Sequence, residues 1–129
     1  MQHTVAILGE AEKGKFKTPH FLKDLSGLID CLGNPPPESC GLYFAIQAVL
    51  FQRALIYFRV EEEGFSEADY YSGFKILENS AKIQTLNALC LPGVGDPKIL
   101  DASRAICRIH KSFLITTPKD LHDYLTSAL

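Results

Sequence analysis

Apolar and polar positions follow two patterns that take turns along the chain. Short runs of β-branched and aliphatic residues predict strands over residues 4–8, 54–60, 88–91 and 112–116. Apolar residues three or four positions apart predict helices over residues 19–32, 40–52 and 67–78, and two more that begin at Pro97 and at Pro118. Strand and helix patterns therefore alternate from one end of the chain to the other.

This alternation predicts an α/β fold in one domain spanning residues 1–129. Right-handed strand–helix–strand crossovers give a mostly parallel sheet, here four-stranded, with helices on both faces. Such folds bind ligands in the loops that follow the carboxyl ends of the strands. In this chain those loops are residues 9–17, 61–64, 92–96 and 116–117.

Four predicted helices follow a residue type that commonly caps helix N-termini. Ser, Thr and Asp accept hydrogen bonds from the first free N–H groups, and proline is favoured at the first helical position. The predicted helix starts are Thr18 before Pro19, Ser39, Ser66 paired with Asp69 in a capping box, and Asp96 before Pro97.

A turn is also predicted at residues 79–82.

Composition narrows the classes of partner. The net charge of −2 and the isoelectric point near 6.1 give no global attraction to nucleic acid or to acidic lipid. No apolar run reaches the ~18–20 residues of a membrane span, and no signal-peptide pattern opens the chain. We expect a soluble cytoplasmic protein with neither nucleic acid nor membrane as its partner.

The four cysteines show no metal-site or redox spacing. Cys90 and Cys107 lie in apolar runs and are expected in the core. Cys31 and Cys40 flank a proline turn, so a disulfide between them is an alternative to free thiols. Free thiols are the expectation in the cytosol.

One loop carries a partial phosphate-binding motif. Gly9, Gly14 and Lys15 match the first seven positions of a P-loop, G-x-x-x-x-G-K, in which backbone N–H groups cradle phosphates. The loop also follows a predicted strand, as a P-loop does. Nucleotide or phosphate binding through these three residues is therefore one hypothesis for the function.

The same loop departs from the motif in three ways. Phe16 stands where Ser or Thr would bind magnesium. The predicted helix starts later, at Thr18, so that Lys15 is not at a helix N-terminus. Glu10 and Glu12 place negative charge where phosphate would bind. The preferred interpretation is a surface loop whose glycines permit positive φ.

No other segment carries a catalytic or metal-binding pattern. The chain has no nucleophile elbow and no dinucleotide fingerprint. The acidic run at residues 61–63 is interpreted as a solvated strand exit rather than a cation site. We therefore predict no catalytic residues, no metal ligands, no cofactor and no enzymatic activity. The histidines, which lack partners at ligand spacing, are His3, His20, His110 and His122.

The order of the segments resembles a known family. The segments are VAILGEAEKGKFKTP, LKDLSGLIDCLG, YFAIQAVLFQRALIYFRV, ALCLPGVGD and SFLITTP, and the resemblance extends over roughly residues 4–124. In this order and spacing they resemble the α/β core domain of contractile-tail sheath proteins, which occur in contractile phage tails and related injection systems.

The resemblance implies a structural role without catalysis. Sheath subunits assemble into rings and cylinders and interlock through terminal arms that add strands to neighbouring subunits. We expect the chain to lack these arms and the C-terminal assembly domain, and to be a solitary core that acts as a minor component, as a decorating or adaptor protein, or as a relic reused for another contact. By the match, Arg59, Val60, Pro92 and Gly93 are expected to be architectural. The expected partner is a protein, either a second copy or a component of a tail or injection system.

Overall fold

The computed structural model describes residues 3–79, 83 and 85–126. The five strands are β1 (Thr4–Gly9), β2 (Pro19–Leu22), β3 (Ala54–Arg59), β4 (Ala88–Cys90) and β5 (Phe113–Ile115). The five helices are α1 (Leu25–Leu32), α2 (Gly41–Leu50), α3 (Glu67–Glu78), α4 (Pro97–His110) and α5 (Pro118–Thr126).

The strands form one sheet in the order β2-β3-β1-β4-β5. Strands β3, β1, β4 and β5 are parallel, and β2 pairs antiparallel with β3. The structure therefore confirms a small α/β domain. The expected four-stranded, mostly parallel sheet is wrong in detail, because an antiparallel edge strand makes the sheet five-stranded and mixed.

The extra strand comes from the segment predicted as the first helix. Pro19–Leu22 pairs with β3, with His20 opposite Tyr57. Helix α1 begins only after Asp24, whose carboxylate accepts a hydrogen bond from the Gly27 N–H at 2.7 Å. The predicted cap, Thr18, instead donates its hydroxyl to the Phe16 carbonyl. The backbone of this segment forms hydrogen bonds with the edge of β3. The helical spacing of its side chains carries no information about this distant partner.

Side chains of successive strand residues point to opposite faces and build two cores. One face packs against α1, α2 and α5, and the other against α3 and α4. The first core contains the strand residues Val5, Ile7, Leu55 and Tyr57, and the second contains Ala6, Leu8, Ile56 and Phe58.

The remaining elements lie close to their predicted positions, and α3 has the predicted bounds. The predicted cap of α4 is confirmed, because the Asp96 carboxylate accepts a hydrogen bond from the Lys98 N–H at 2.8 Å. The turn predicted at residues 79–82 lies mostly outside the described residues. All four cysteines are free. Within the described ranges, no helix has the length and apolarity to cross a membrane.

Candidate functional site

The carboxyl edge of the sheet is where this topology places a ligand site. The helices that follow β1 pack on one face of the sheet, whereas the helix that follows β4 packs on the other. Strands β1 and β4 are neighbours, and the segments that follow them run to opposite faces of the sheet, which leaves a crevice between the two strand ends. Ligands of open α/β sheets bind in the crevice at such a point. The loops after β1, β3 and β4 meet there.

A carboxylate of the chain itself occupies this position. Glu63 Oε2 accepts hydrogen bonds from the N–H groups of Glu10 at 2.8 Å and Gly41 at 3.0 Å, and Glu63 Oε1 accepts one from Cys40 at 2.9 Å. Gly41 is the first residue of α2, so the carboxylate satisfies free donors at a helix N-terminus and lies at the positive end of the helix dipole. An anionic ligand would use the same donors.

Two glycines bring the start of α2 down onto the end of β1. A Cβ on Gly9 would lie 2.6 Å from the Tyr57 hydroxyl and 2.7 Å from the Gly41 Cα. A Cβ on Gly41 would overlap the same hydroxyl. Tyr57 donates that hydroxyl to the Glu10 carbonyl at 2.8 Å. The close approach places the first N–H of α2 within reach of Glu63.

The loop that carries Glu63 is held at both ends. The Glu10 carboxylate accepts a hydrogen bond from the Glu63 N–H at 3.0 Å, and the Tyr70 hydroxyl accepts one from the Gly64 N–H at 2.8 Å. A Cβ on Gly64 would overlap the Gly93 carbonyl oxygen, so the loops after β3 and β4 are in contact. The crevice between β1 and β4 is therefore bridged by residues of the chain.

Of three predictions about this region, one holds in part and two are wrong. The acidic run 61–63 is not wholly solvated, because Glu63 is half-buried and capped onto α2, although its two neighbours are exposed. Ser39 does not cap α2, since its hydroxyl donates to the Pro36 carbonyl. The capping box at the start of α3 does not form: the Ser66 hydroxyl binds the backbone of Glu62. Its expected partner, Asp69, accepts a hydrogen bond from Glu61.

Burial controls the titration of the two tyrosines at the site. Burial raises the pKa of Tyr57 well above its ordinary value, and the negative charge of Glu63 raises it further. Burial also raises the pKa of Tyr70, against a smaller opposing effect of the hydrogen bond from Gly64. Both hydroxyls are therefore protonated at neutral pH and serve as hydrogen-bonding groups.

Gly9 of the partial P-loop motif lies in different surroundings from Gly14 and Lys15. Gly9 ends β1 beneath the start of α2. Gly14 adopts φ 108° and its carbonyl accepts a hydrogen bond from Arg59 Nη1 at 2.8 Å. Lys15 is exposed, and its carbonyl lies 3.0 Å from His20 Nε2. The Arg59 side chain on β3 and the His20 side chain on β2 thus contact backbone carbonyls of the loop and attach it to both strands.

Two N–H groups of this loop are already paired within the chain. The N–H groups of Glu12 and Lys13 donate to the Leu32 carbonyl at the end of α1, at 3.0 and 3.1 Å. The Arg59 guanidinium lies 4.3 Å from the centre of the Phe16 ring, which is 42% exposed. Phe16 thus pairs with the end of β3, and the loop lies across the sheet edge.

Sequence reasoning missed the residues that organise this site. Glu63 and Tyr57 had no recognisable motif, because the groups that they bind are distant in sequence. The only available signal was the pair of glycines, Gly9 and Gly41, at the end of a strand and the start of a helix. Across the described part of the chain, no three His, Cys, Asp or Glu side chains form a group suited to a metal ion.

Comparison with family models, with curated proteins and with solved structures gives no significant match. The function is therefore inferred from geometry.

Proposed function

We propose that this protein is a non-enzymatic structural or interaction protein, whose contacts are made with other proteins. The main observation that supports this proposal is the position of the Glu63 carboxylate. It binds N–H groups at the N-terminus of α2, in the crevice where proteins of this topology bind a ligand. A phosphate entering there would have to displace three charge-assisted hydrogen bonds, each worth ~1.5–3 kcal/mol, and expel a half-buried charge.

The adjoining loop supports the same proposal. Arg59 binds the carbonyl of Gly14 and stacks on Phe16, so the segment with the partial motif is fixed across the end of β3. Its donors at Glu12 and Lys13 are used by the end of α1. Backbone groups that are already paired contribute little to binding a new ligand.

The narrower form of the proposal names the apparatus. By the order of its segments, the chain is proposed to be a core of the contractile-tail sheath type, with a second copy or a tail or injection-system component as partner. The alternative, a small nucleotide- or phosphate-binding protein that uses Gly9, Gly14 and Lys15, rests on the motif match.

Thermal unfolding with anions tests the proposal against this alternative. We would melt the wild type, Glu63→Ala and the matched control Glu62→Ala with and without millimolar inorganic phosphate, ATP–Mg²⁺ and GTP–Mg²⁺. The proposal expects an unchanged Tm for the wild type and the control, and a phosphate-dependent rise for Glu63→Ala, whose α2 donors are then free for an anion.

The alternative expects the opposite pattern. A ligand at 100 times its Kd adds ~2.7 kcal/mol, which raises Tm by several degrees in a chain of this size. Such a rise in the wild type, abolished by Lys15→Ala, would overturn the proposal. The narrower form is tested by electron microscopy and sedimentation at high concentration: rings or tubes support it, and a strict monomer contradicts self-assembly.

A further inference from the structure

The outer edge of β5 has an open hydrogen-bonding ladder. Phe113 donates its N–H to the Asn87 carbonyl at 3.0 Å, and the Ile115 carbonyl accepts a hydrogen bond from Leu91 at 2.8 Å. Alternate residues of a parallel strand bond to opposite neighbours, so the N–H and C=O of Leu114 face away from β4. Over the ranges that the structure describes, no strand pairs with this edge.

A groove of about 360 Å³ runs between this edge and α5. Its base is aromatic: Phe113 is 67% exposed, and its ring centre lies 6.0 Å from that of Tyr124. The buried Arg53 guanidinium lies 5.4 Å from the Tyr124 ring and supports it. The groove is lined by Phe113, Leu114, Ile115, Asp120, Asp123 and Tyr124.

The charged side chains that line this groove are both acidic. Its lining includes the carboxylates of Asp120 and Asp123 and contains no lysine or arginine. Two cations lie nearby: Lys119 is 3.1 Å from Asp123 but 84% exposed, so solvent screens this pair, and the buried Arg53 donates to the Phe51 carbonyl. The carboxylates of Asp120 and Asp123 are therefore the charges that an occupant of the groove meets directly. An occupant with basic side chains is therefore electrostatically matched.

We propose that an extended basic peptide segment of a partner protein binds β5 as an additional strand, with alternate side chains in the groove. Leu114 supplies one backbone donor and one acceptor. The side chains of the peptide on the α5 side are two residues apart, so that an apolar one packs on Phe113 and Tyr124 while a Lys or Arg pairs with Asp120 and Asp123. This inference rests on the proposed function and names the chemistry of the partner.

The charges also argue against a second copy as the occupant. A two-fold pairing of β5 with β5 would bring a second pair of carboxylates to the same groove. Like charges placed together cost affinity, whereas a basic segment gains it.

The test is an amide NMR titration with the peptide acetyl-Thr-Lys-Thr-Val-Thr-Lys-amide, in which the lysine and valine side chains are two residues apart and share one face of the strand. We expect the largest shifts at Leu114 and its neighbours on β5 and α5, slower hydrogen exchange at Leu114, and weaker binding at high salt. The double variant Asp120→Asn with Asp123→Asn should bind at least five-fold more weakly. Asp30→Asn, an exposed carboxylate on α1, is the matched control and should bind as the wild type does.

A backbone variant tests the ladder separately from the charge. Leu114→Pro removes the outward N–H, and proline is tolerated on edge strands, so binding should be lost while the melting curve remains cooperative. If this variant fails to fold, the aspartate variants still decide the question.

Three results would overturn the inference. They are shifts confined to another surface, equal binding of the charge-reversed peptide acetyl-Thr-Glu-Thr-Val-Thr-Glu-amide, and concentration-dependent shifts of β5 without peptide, which would identify a second copy. None of these removes the proposed function. That proposal fails instead on a Lys15-dependent rise of Tm with nucleotide.

Discussion

The Glu10 carboxylate accepts a hydrogen bond from the backbone N–H of Glu63 at 3.0 Å, and the Glu63 carboxylate accepts one from the backbone N–H of Glu10 at 2.8 Å. Because β1 and β3 are parallel neighbours, their exit loops leave the same edge of the sheet. Each acidic side chain therefore accepts a hydrogen bond from the backbone of the other loop. These two hydrogen bonds join the loops to each other.

Removing the Glu63 carboxylate should destabilise the fold. Glu63→Ala leaves the N–H groups of Glu10, Cys40 and Gly41 without their acceptor, so we expect a loss of about 2–4 kcal/mol in the free energy of unfolding. Glu63→Gln should cost less, because the amide keeps one acceptor oxygen. Urea unfolding measures both. Glu62→Ala is the exposed control, within ~0.5 kcal/mol of the wild type; equal losses in Glu63→Ala and Glu62→Ala would contradict the capping role.

The contact between α2 and β1 should tolerate no side chain. In Gly41→Ala the new Cβ would overlap the Tyr57 hydroxyl and lie 2.8 Å from the Gly9 Cα, so we expect a loss of ~3 kcal/mol or more, or failure to fold. The matched control is Gly95→Ala, whose Cβ has no heavy atom within 4 Å. Thermal and urea unfolding should separate the two variants clearly; similar stability would show that α2 can move away from β1.

Arg59 should control access of proteases to the loop after β1. Arg59→Ala removes the hydrogen bond to Gly14 and the stacking on Phe16, so the segment opens more often. We expect limited trypsin digestion to cleave sooner after the lysines of this segment, as mass spectrometry would show. Arg104→Ala, an exposed arginine on α4, is the control and should leave the cleavage rate at this loop unchanged.

Alkaline pH should destabilise the protein. Burial raises the pKa of the Cys90 thiol above its ordinary value of 9.0, and burial raises the pKa of Tyr57 and Tyr70 above 10.0. The folded chain keeps these protons to higher pH than the unfolded chain does. Their stabilisation is therefore complete below pH 9 and is lost as pH rises, by up to about 1.4 kcal/mol per pH unit for each group.

Urea unfolding at pH 8, 9.5 and 10.5 measures this loss. Cys90→Ala should reduce the decline between pH 8 and 9.5, and Tyr57→Phe should reduce it above pH 10. A stability that stays constant from pH 8 to 10.5 would show that these groups titrate alike in the folded and unfolded chains.

The sequence by itself determined the α/β class, the positions of four strands, and the helices whose signals are local. Helix α3 has its predicted bounds, and α4 begins at the predicted cap Asp96, because a helix repeats contacts only three or four residues apart. The positions of the buried parallel strands could likewise be predicted, because each such strand is a continuous run of apolar residues.

Only the tertiary structure decided the rest. Pro19–Leu22 became a strand because the edge of β3 offered partners to its backbone, which outweighed its helical spacing. The cap of α2 comes from Glu63, which is 22 positions from Gly41, so no local pattern could reveal it. The glycine loop that matched a phosphate motif was fixed by Arg59, at the end of another strand. In each case the deciding hydrogen bond joins groups that only the folded sheet brings together.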